Sequence, residues 1–261
     1  MKTIQGFPVV DEFAPHPDPA VHGRGYEPRD YSAHPLGVGE FCSQYTGPKI
    51  NPSEFQERIA EKTAKKTWVS DICDSFGSHV KNQANTNYCW INAPTRGMEI
   101  CYVVSNGLVL DLSAAHPGSI IQGGRNAGGS GITAVKFMAK YGVPTTKYWA
   151  TNKISGSADN DSAAVADAAR HKILAYTDID SDDHDAITSM VLSNRAVTVG
   201  IPRWGHEVAI TFCVWDNGRV IHGIDNSWSP DWGNNGRGLL TGAYANYDEA
   251  GSIESVTPAS S

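Results

Sequence analysis

Long apolar runs are missing from this chain: no stretch approaches the roughly 18 continuous apolar residues that span a bilayer. A basic block is missing too. With 21 Lys and Arg against 28 Asp and Glu, the formal net charge is -7. Neither a nucleic-acid surface nor an anionic membrane is therefore expected as a partner. Cysteines are few and odd in number, Cys42, Cys73, Cys89, Cys101 and Cys213, and no two have C-x-x-C spacing. That leaves no closed disulfide framework and no structural zinc site. Free thiols in a reducing compartment are expected, either cytoplasmic or inside a particle or assembly. The opening residues Met1 to Pro8 lack an apolar core of signal-peptide length, so export by that route is not expected. Nothing calls for a metal or a cofactor.

What is present divides unevenly. Half of the 14 prolines fall in residues 1–50, interleaved with His16, His22 and His34. Each proline fixes its own backbone and disfavours helix in the residue before it, so this segment is expected to be an extended arm. Phe13, Tyr26, Tyr31, Phe41 and Tyr45 are too many aromatics for a solvated linker. Such an arm can pack on its own domain, embrace a partner in an assembly, or cover an active site as a pro-segment. The irregular spacing of its histidines argues against metal binding. Residues 51–66 carry glutamates early and lysines late, the charge order of a helix dipole. Residues 1–67 are therefore assigned to an arm with a short helix, and 68–261 to a globular domain that is expected to fold without residues 1–50.

Within that domain the spacing predicts helices over 93–104, 132–141 and 181–194, the last behind the acidic run Asp178–Asp185. That run lacks the glycine and glutamate of a calcium loop, which favours helix capping. Strands follow over 196–201, 208–215 and 219–224, with an Asn217-Gly218 turn between the last two. Helices first and strands later indicate an α+β fold in two halves. His222, inside an apolar run, reads as structural.

The chemistry concentrates at three places. Cys89 closes a polar loop and opens an apolar stretch, where a helix N-terminus would favour thiolate. A lone cysteine in such a place is more often an inert buried thiol. Far downstream, His206 stands at the mouth of an apolar strand, and Asn226-Ser227-Trp228 follows one hairpin later. Cys, His and Asn together make a nucleophile, a proton carrier and a group that orients the imidazole.

These blocks resemble the papain and cathepsin family of cysteine peptidases. Val80-Lys81-Asn82-Gln83 lies six residues before Cys89-Trp90, Gly205-His206 is followed by Val208-Ala209, and Asn226 to Gly236 is similar to the family's Asn-Ser-Trp signature. Ala127-Gly128-Gly129 resembles its Gly-Gly strip, and Ala196–Val199 the strand before its histidine. The blocks occur in family order from Trp68 to Leu240. The resemblance implies a papain-like two-lobed fold, a helical left lobe and an antiparallel β right lobe, with an extended N-terminal arm. It implies Cys89 as nucleophile, His206 as base and acid, Asn226 as its orienting partner, and Trp228 as a shield over that hydrogen bond. Gln83 would complete an oxyanion hole with the Cys89 backbone N–H, and Gly128 and Gly129 would pair with an extended peptide.

Departures from the pattern carry information. Thr86 replaces a disulfide cysteine, and Tyr88 replaces a small residue beside the nucleophile. Pro94 falls where it is expected to kink the helix that presents Cys89. The link from Val199 to His206 is short, which implies an altered pocket for the substrate's second residue. The first 67 residues lack the family's long helical inhibitory pattern. Peptide-bond hydrolysis through a Cys89 thioester is the leading expectation, with a peptide or protein as substrate. The alternative is a structural or binding component of a larger assembly, such as a virus-like particle, held through residues 1–50.

Overall fold

The computed structural model describes residues 2–11, 13 and 20–258. In chain order the elements are β1 (Thr3–Ile4), β2 (Phe7–Val10), β3 (Cys42–Gln44), α1 (Phe55–Lys65), α2 (Val69–Phe76), α3 (Cys89–Asn106), α4 (Ala115–Ile121) and α5 (Gly131–Tyr141). There follow α6 (Ser162–Ala168), β4 (Ile173–Ile179), α7 (His184–Leu192), β5 (Val197–Ile201), β6 (His206–Asp216), β7 (Arg219–Asp225), β8 (Arg237–Leu240) and β9 (Glu249–Val256). His16, Pro15, Pro17 and Pro19 of the expected arm lie outside the described residues. Among the described residues no helix is long and apolar enough to cross a membrane.

Local chemistry sets many of the boundaries. Asp183 caps α7, its side chain accepting the Ala186 N–H at 3.0 Å, so this part of the acidic run caps a helix. Gly142, at φ 84°, closes α5 in a conformation that other residues resist. Asn217 and Gly218 take φ 48° and 80°, the pair of positive values that turns β6 into β7. α3 begins at Cys89 and runs unbroken for 18 residues, longer than the predicted 93–104. Pro94 forgoes only one bond, to the Trp90 carbonyl, and does not end the helix.

Two cores flank α3. One gathers Val197, Val199, Val208, Ile210, Ile224 and Leu239 beneath α1 and α7, with Trp204 and Trp228 at its edge. The other joins Trp90, Met98, Tyr102, Ile132 and Met138 to Ile173 and Ile253. The sheet order is β1-β2-β8-β7-β6-β5-β9-β4-β3. Its middle is antiparallel, but β2 joins β8 and β3 joins β4 in parallel. Both parallel strands come from the arm, which is thus sewn to opposite ends of the sheet. Val9 and Val10 are buried there. Beyond β3, Arg29 makes a buried bidentate pair with Asp178 at 2.8 and 2.7 Å.

A buried ionic network ties α3 to the strand that leads to Asn226. Asp225 accepts Arg96 Nε at 3.0 Å and Arg237 Nε at 2.8 Å, and Arg237 also grips Asp74. Charges this deep need such mutual pairing.

Candidate active site

α3 presents Cys89 on its first residue, between the two cores. Its sulfur lies 4.0 Å from the Gly205 carbonyl oxygen, immediately before His206 on β6. The His206 ring sets Nε2 2.8 Å from Asn226 Oδ1, just past the end of β7, and leaves Nδ1 with no hydrogen-bond partner among the described residues. Trp228 covers that pair, its ring 4.5 Å from the imidazole, and Trp204 meets the imidazole edge-on at 4.8 Å. A ring tilted over it excludes water from the hydrogen bond that fixes the imidazole.

Gln83 is fully buried. Its backbone N–H donates to Ser227 O at 2.7 Å and its Oε1 accepts the Ser227 hydroxyl, which turns Nε2 away from Ser227 so that one of its hydrogens donates to Thr86 O at 2.7 Å and the other is free to donate elsewhere. The structure therefore assembles Cys89, Gln83, His206, Asn226 and Trp228 in one place, with Gly129 on the far wall.

The cleft is already filled, by the chain's own arm. Gly23 O accepts Gln83 Nε2 at 2.9 Å and Trp228 Nε1 at 3.1 Å. Gly25 N–H points at the Cys89 sulfur from 3.2 Å. Gly129 N–H donates to Gly25 O, and Glu27 N–H donates back to Gly129 O, each at 2.9 Å. Tyr26 N–H donates to Gly205 O at 3.0 Å, and His22 stacks on the outer face of Trp228 at 4.9 Å. Gly128 takes no part in this pairing; its carbonyl accepts Gln122 Nε2 at 2.5 Å. Glycine is required at two of the arm positions: a Cβ on Gly23 would come within 1.8 Å of Thr86 O, and one on Gly25 within 2.1 Å of Asn87 O.

This occupancy reverses the expected electrostatics. Burial pushes the Cys89 thiol up to about 12, against the weaker pull of nearby backbone N–H groups. Burial likewise lowers His206 to about 3, more than the Asn226 hydrogen bond raises it. A thiolate favoured by the helix N-terminus was expected; in the closed cleft, thiol and imidazole are both neutral because solvent is excluded from both.

Gly23, Gly25, Glu207, Asp248 and Glu249 were not legible as site residues in the sequence, and Tyr26 stood out only as one of the arm's aromatics. The first two carried a faint signal, a Gly-x-Gly inside a proline-rich arm. Glu207 carried another, a carboxylate directly after His206 in an otherwise apolar strand.

No family model matches the chain, and no curated protein matches it in sequence. Solved structures do match it. Xylellain, a cysteine protease from Xylella fastidiosa, is 15% identical over 89% of this chain and 96% of its own, with a TM-score of 0.59. The bromelain protease from Ananas comosus is 18% identical over 68% of this chain and 94% of its own, at 0.57. Digestive procathepsin L 3 of Tenebrio molitor larval midgut is 17% identical over 68% of this chain, at 0.54; this chain spans 66% of it. The chain thus has the α+β fold of the papain-like cysteine proteases.

Proposed function

We propose that this chain is a papain-like cysteine peptidase held latent by its own arm. The observation that carries this reading is the arm's Gly23 carbonyl, held by Gln83 Nε2 and Trp228 Nε1 two residues before the Gly25 N–H that meets the Cys89 sulfur. A scissile carbonyl needs a donor set of this kind. In the open enzyme Cys89 would pass its proton to His206 and attack the substrate carbonyl carbon. Gln83 Nε2 would hold the resulting oxyanion. Collapse would break the C–N bond, with His206 protonating the departing amine, and leave a thioester. His206 would then take a proton from water as that water hydrolyses the thioester.

The direction of the arm would keep it from being cut. The amine must leave beside His206, under Trp228, so a substrate would place its C-terminal side there. The arm places His22 and Gly23, its N-terminal side, at Trp228, and runs on through Tyr26 to Gly129 in parallel pairing. It uses the recognition groups with the peptide reversed.

The test opens the cleft in the full chain with Gly23→Ala and supplies peptide amides with a fluorogenic leaving group. Hydrolysis that disappears in Cys89→Ala supports the reading. Absence of any Cys89-dependent hydrolysis in the opened chain refutes it. Within that assay Gln83→Ala is expected to lower kcat by about 10²–10³.

A further inference from the structure

Tyr26 occupies a pocket built of carboxylates. Its hydroxyl donates to Asp248 Oδ2 at 2.7 Å, and only 6% of the residue is exposed. One wall is Gly200, where a Cβ would lie 2.1 Å from the Tyr26 ring. Glu207 and Glu249 also act on the Tyr26 phenol, which burial and these acids together push far above its ordinary range.

Each acid has a distinct surrounding. Glu249 accepts the Gly131 N–H at 2.5 Å and the Ile132 N–H at 3.3 Å, at the start of α5. Glu207 Oε2 has no hydrogen-bond partner among the described residues, although the residue is only 1% exposed. Gly131 makes room for it: a Cβ there would sit 2.4 Å from Glu207 Oε1. The nearby cation Arg29 is committed to Asp178. Burial, with Glu249 close by, pushes Glu207 well above the usual carboxylate range, and burial pushes Glu249 up to about 7. A buried acid with an unpartnered oxygen costs stability that a leucine would not. Packing alone supplies no reason for it.

We infer that the pocket filled by Tyr26 is a specificity pocket for a basic side chain, an arginine or lysine of the substrate, whose cation would meet Asp248 and Glu207 once the arm withdraws. The inference rests on the peptidase reading and names its substrate class. The basic residue would be the one that pairs with Gly129, second on the acyl side of the scissile bond. Tyr26 serves as the neutral stand-in: it gives Asp248 one donor and leaves Glu207 unanswered.

The experiment uses the full chain opened by Gly23→Ala. Blocked dipeptide coumarin amides share their second residue and vary the first among arginine, lysine, norleucine and glutamate. Arginine or lysine is expected to exceed norleucine in kcat/KM by at least ~10-fold, as a charge-assisted hydrogen bond in a desolvated site provides. Glu207→Gln and Asp248→Asn should each shrink that ratio of basic to norleucine kcat/KM. Norleucine matching or exceeding the basic residues overturns the inference. If nothing is hydrolysed, the same compounds are titrated calorimetrically into the Gly23→Ala, Cys89→Ser chain. Binding of the arginine compound ~10-fold tighter than norleucine then upholds the pocket while the peptidase reading alone fails. Equal binding, or none, overturns the pocket as well.

Discussion

One added methyl group should switch the cleft from closed to open. Alanine at position 23 places its Cβ 1.8 Å from the Thr86 carbonyl oxygen, 2.5 Å from the Thr86 carbonyl carbon and 2.7 Å from Asn85 C. These are backbone atoms of the loop that leads into α3, so they have no rotamer to change. Overpacking against atoms that do yield costs about 1–3 kcal/mol; here the arm has to lift away. Taking ~3 kcal/mol as the loss to the closed form, and 1.4 kcal/mol per factor of ten, the open fraction grows by about 100-fold. The assay is iodoacetamide labelling followed peptide by peptide by mass spectrometry. Cys42, Cys73, Cys101 and Cys213 are buried and free, and report general loosening. Gly156→Ala is the control, since a Cβ there meets only Gly123 O at 3.7 Å. Cys89 labelling should rise about 100-fold in Gly23→Ala, while its four companions and the Gly156→Ala chain stay at baseline. Unchanged Cys89 labelling would refute the plugged cleft. A rise in all five thiols together would show unfolding instead, and would refute it equally.

Other expectations follow from the same geometry. In the closed chain Cys89 should resist alkylation from pH 6 to 9, because its thiol is pushed up to about 12. In Gly23→Ala it should label below pH ~7, where an ordinary thiol of pKa about 8.5 is mostly protonated, and His206→Ala should remove that advantage; labelling that ignores His206 contradicts a paired thiolate and imidazolium. Asp225→Ala takes the shared partner from Arg96 and Arg237, 2% and 8% exposed, leaving Arg237 with Asp74 and Arg96 with Ser78 and Glu99, and should cost about 3 kcal/mol by urea unfolding, with a loss under about 1 kcal/mol speaking against the network. Burial would raise Asp225, but Arg237 and Arg96 overcome it and hold the carboxyl below its ordinary value. Its stabilisation is therefore full above about pH 4 and fades as pH falls through the lowered folded value, so Asp225→Asn should flatten the acid limb of the stability profile. Deleting residues 1–50 was expected from the sequence to leave a folded domain. The structure predicts a loss of about 3 kcal/mol or more, since Asp178 loses its buried partner Arg29 and β8 loses β2; unchanged denaturant stability would refute this.

The parts of the molecule legible in its sequence are those in which local chemistry and tertiary packing agree. α5 and α7 carry helical spacing with Gly142 and Asp183 at their ends, and the β6–β7 hairpin carries Asn217-Gly218 between apolar runs. Gln83, Cys89, His206, Asn226 and Trp228 sit in recognisable blocks, and the fold brings them together. Other elements were hidden for physical reasons. β9, Glu-Ala-Gly-Ser-Ile-Glu-Ser-Val, has little apolar character, yet its first five residues are buried because β4 and β5 pair with it on either side. β1, β2 and β3 are two to four residues long, too short for any periodicity. The acids of the Tyr26 pocket come from β6, β9 and the residue preceding β9, and no spacing in the sequence links them.

The two parallel strands of the arm, β2 and β3, have a kinetic consequence. Gly23–Glu27 is tethered on one side by β2 on β8 and on the other by β3 on β4. A segment held by short tethers meets its site at an effective concentration of the order of millimolar, independent of how dilute the protein is. Dilution cannot open such a cleft, and a micromolar competitor peptide gains little ground against a tethered rival. A single cut between Val10 and His22 would change this, because the segment would then be held from one side only, and the site would become open to competition for the first time.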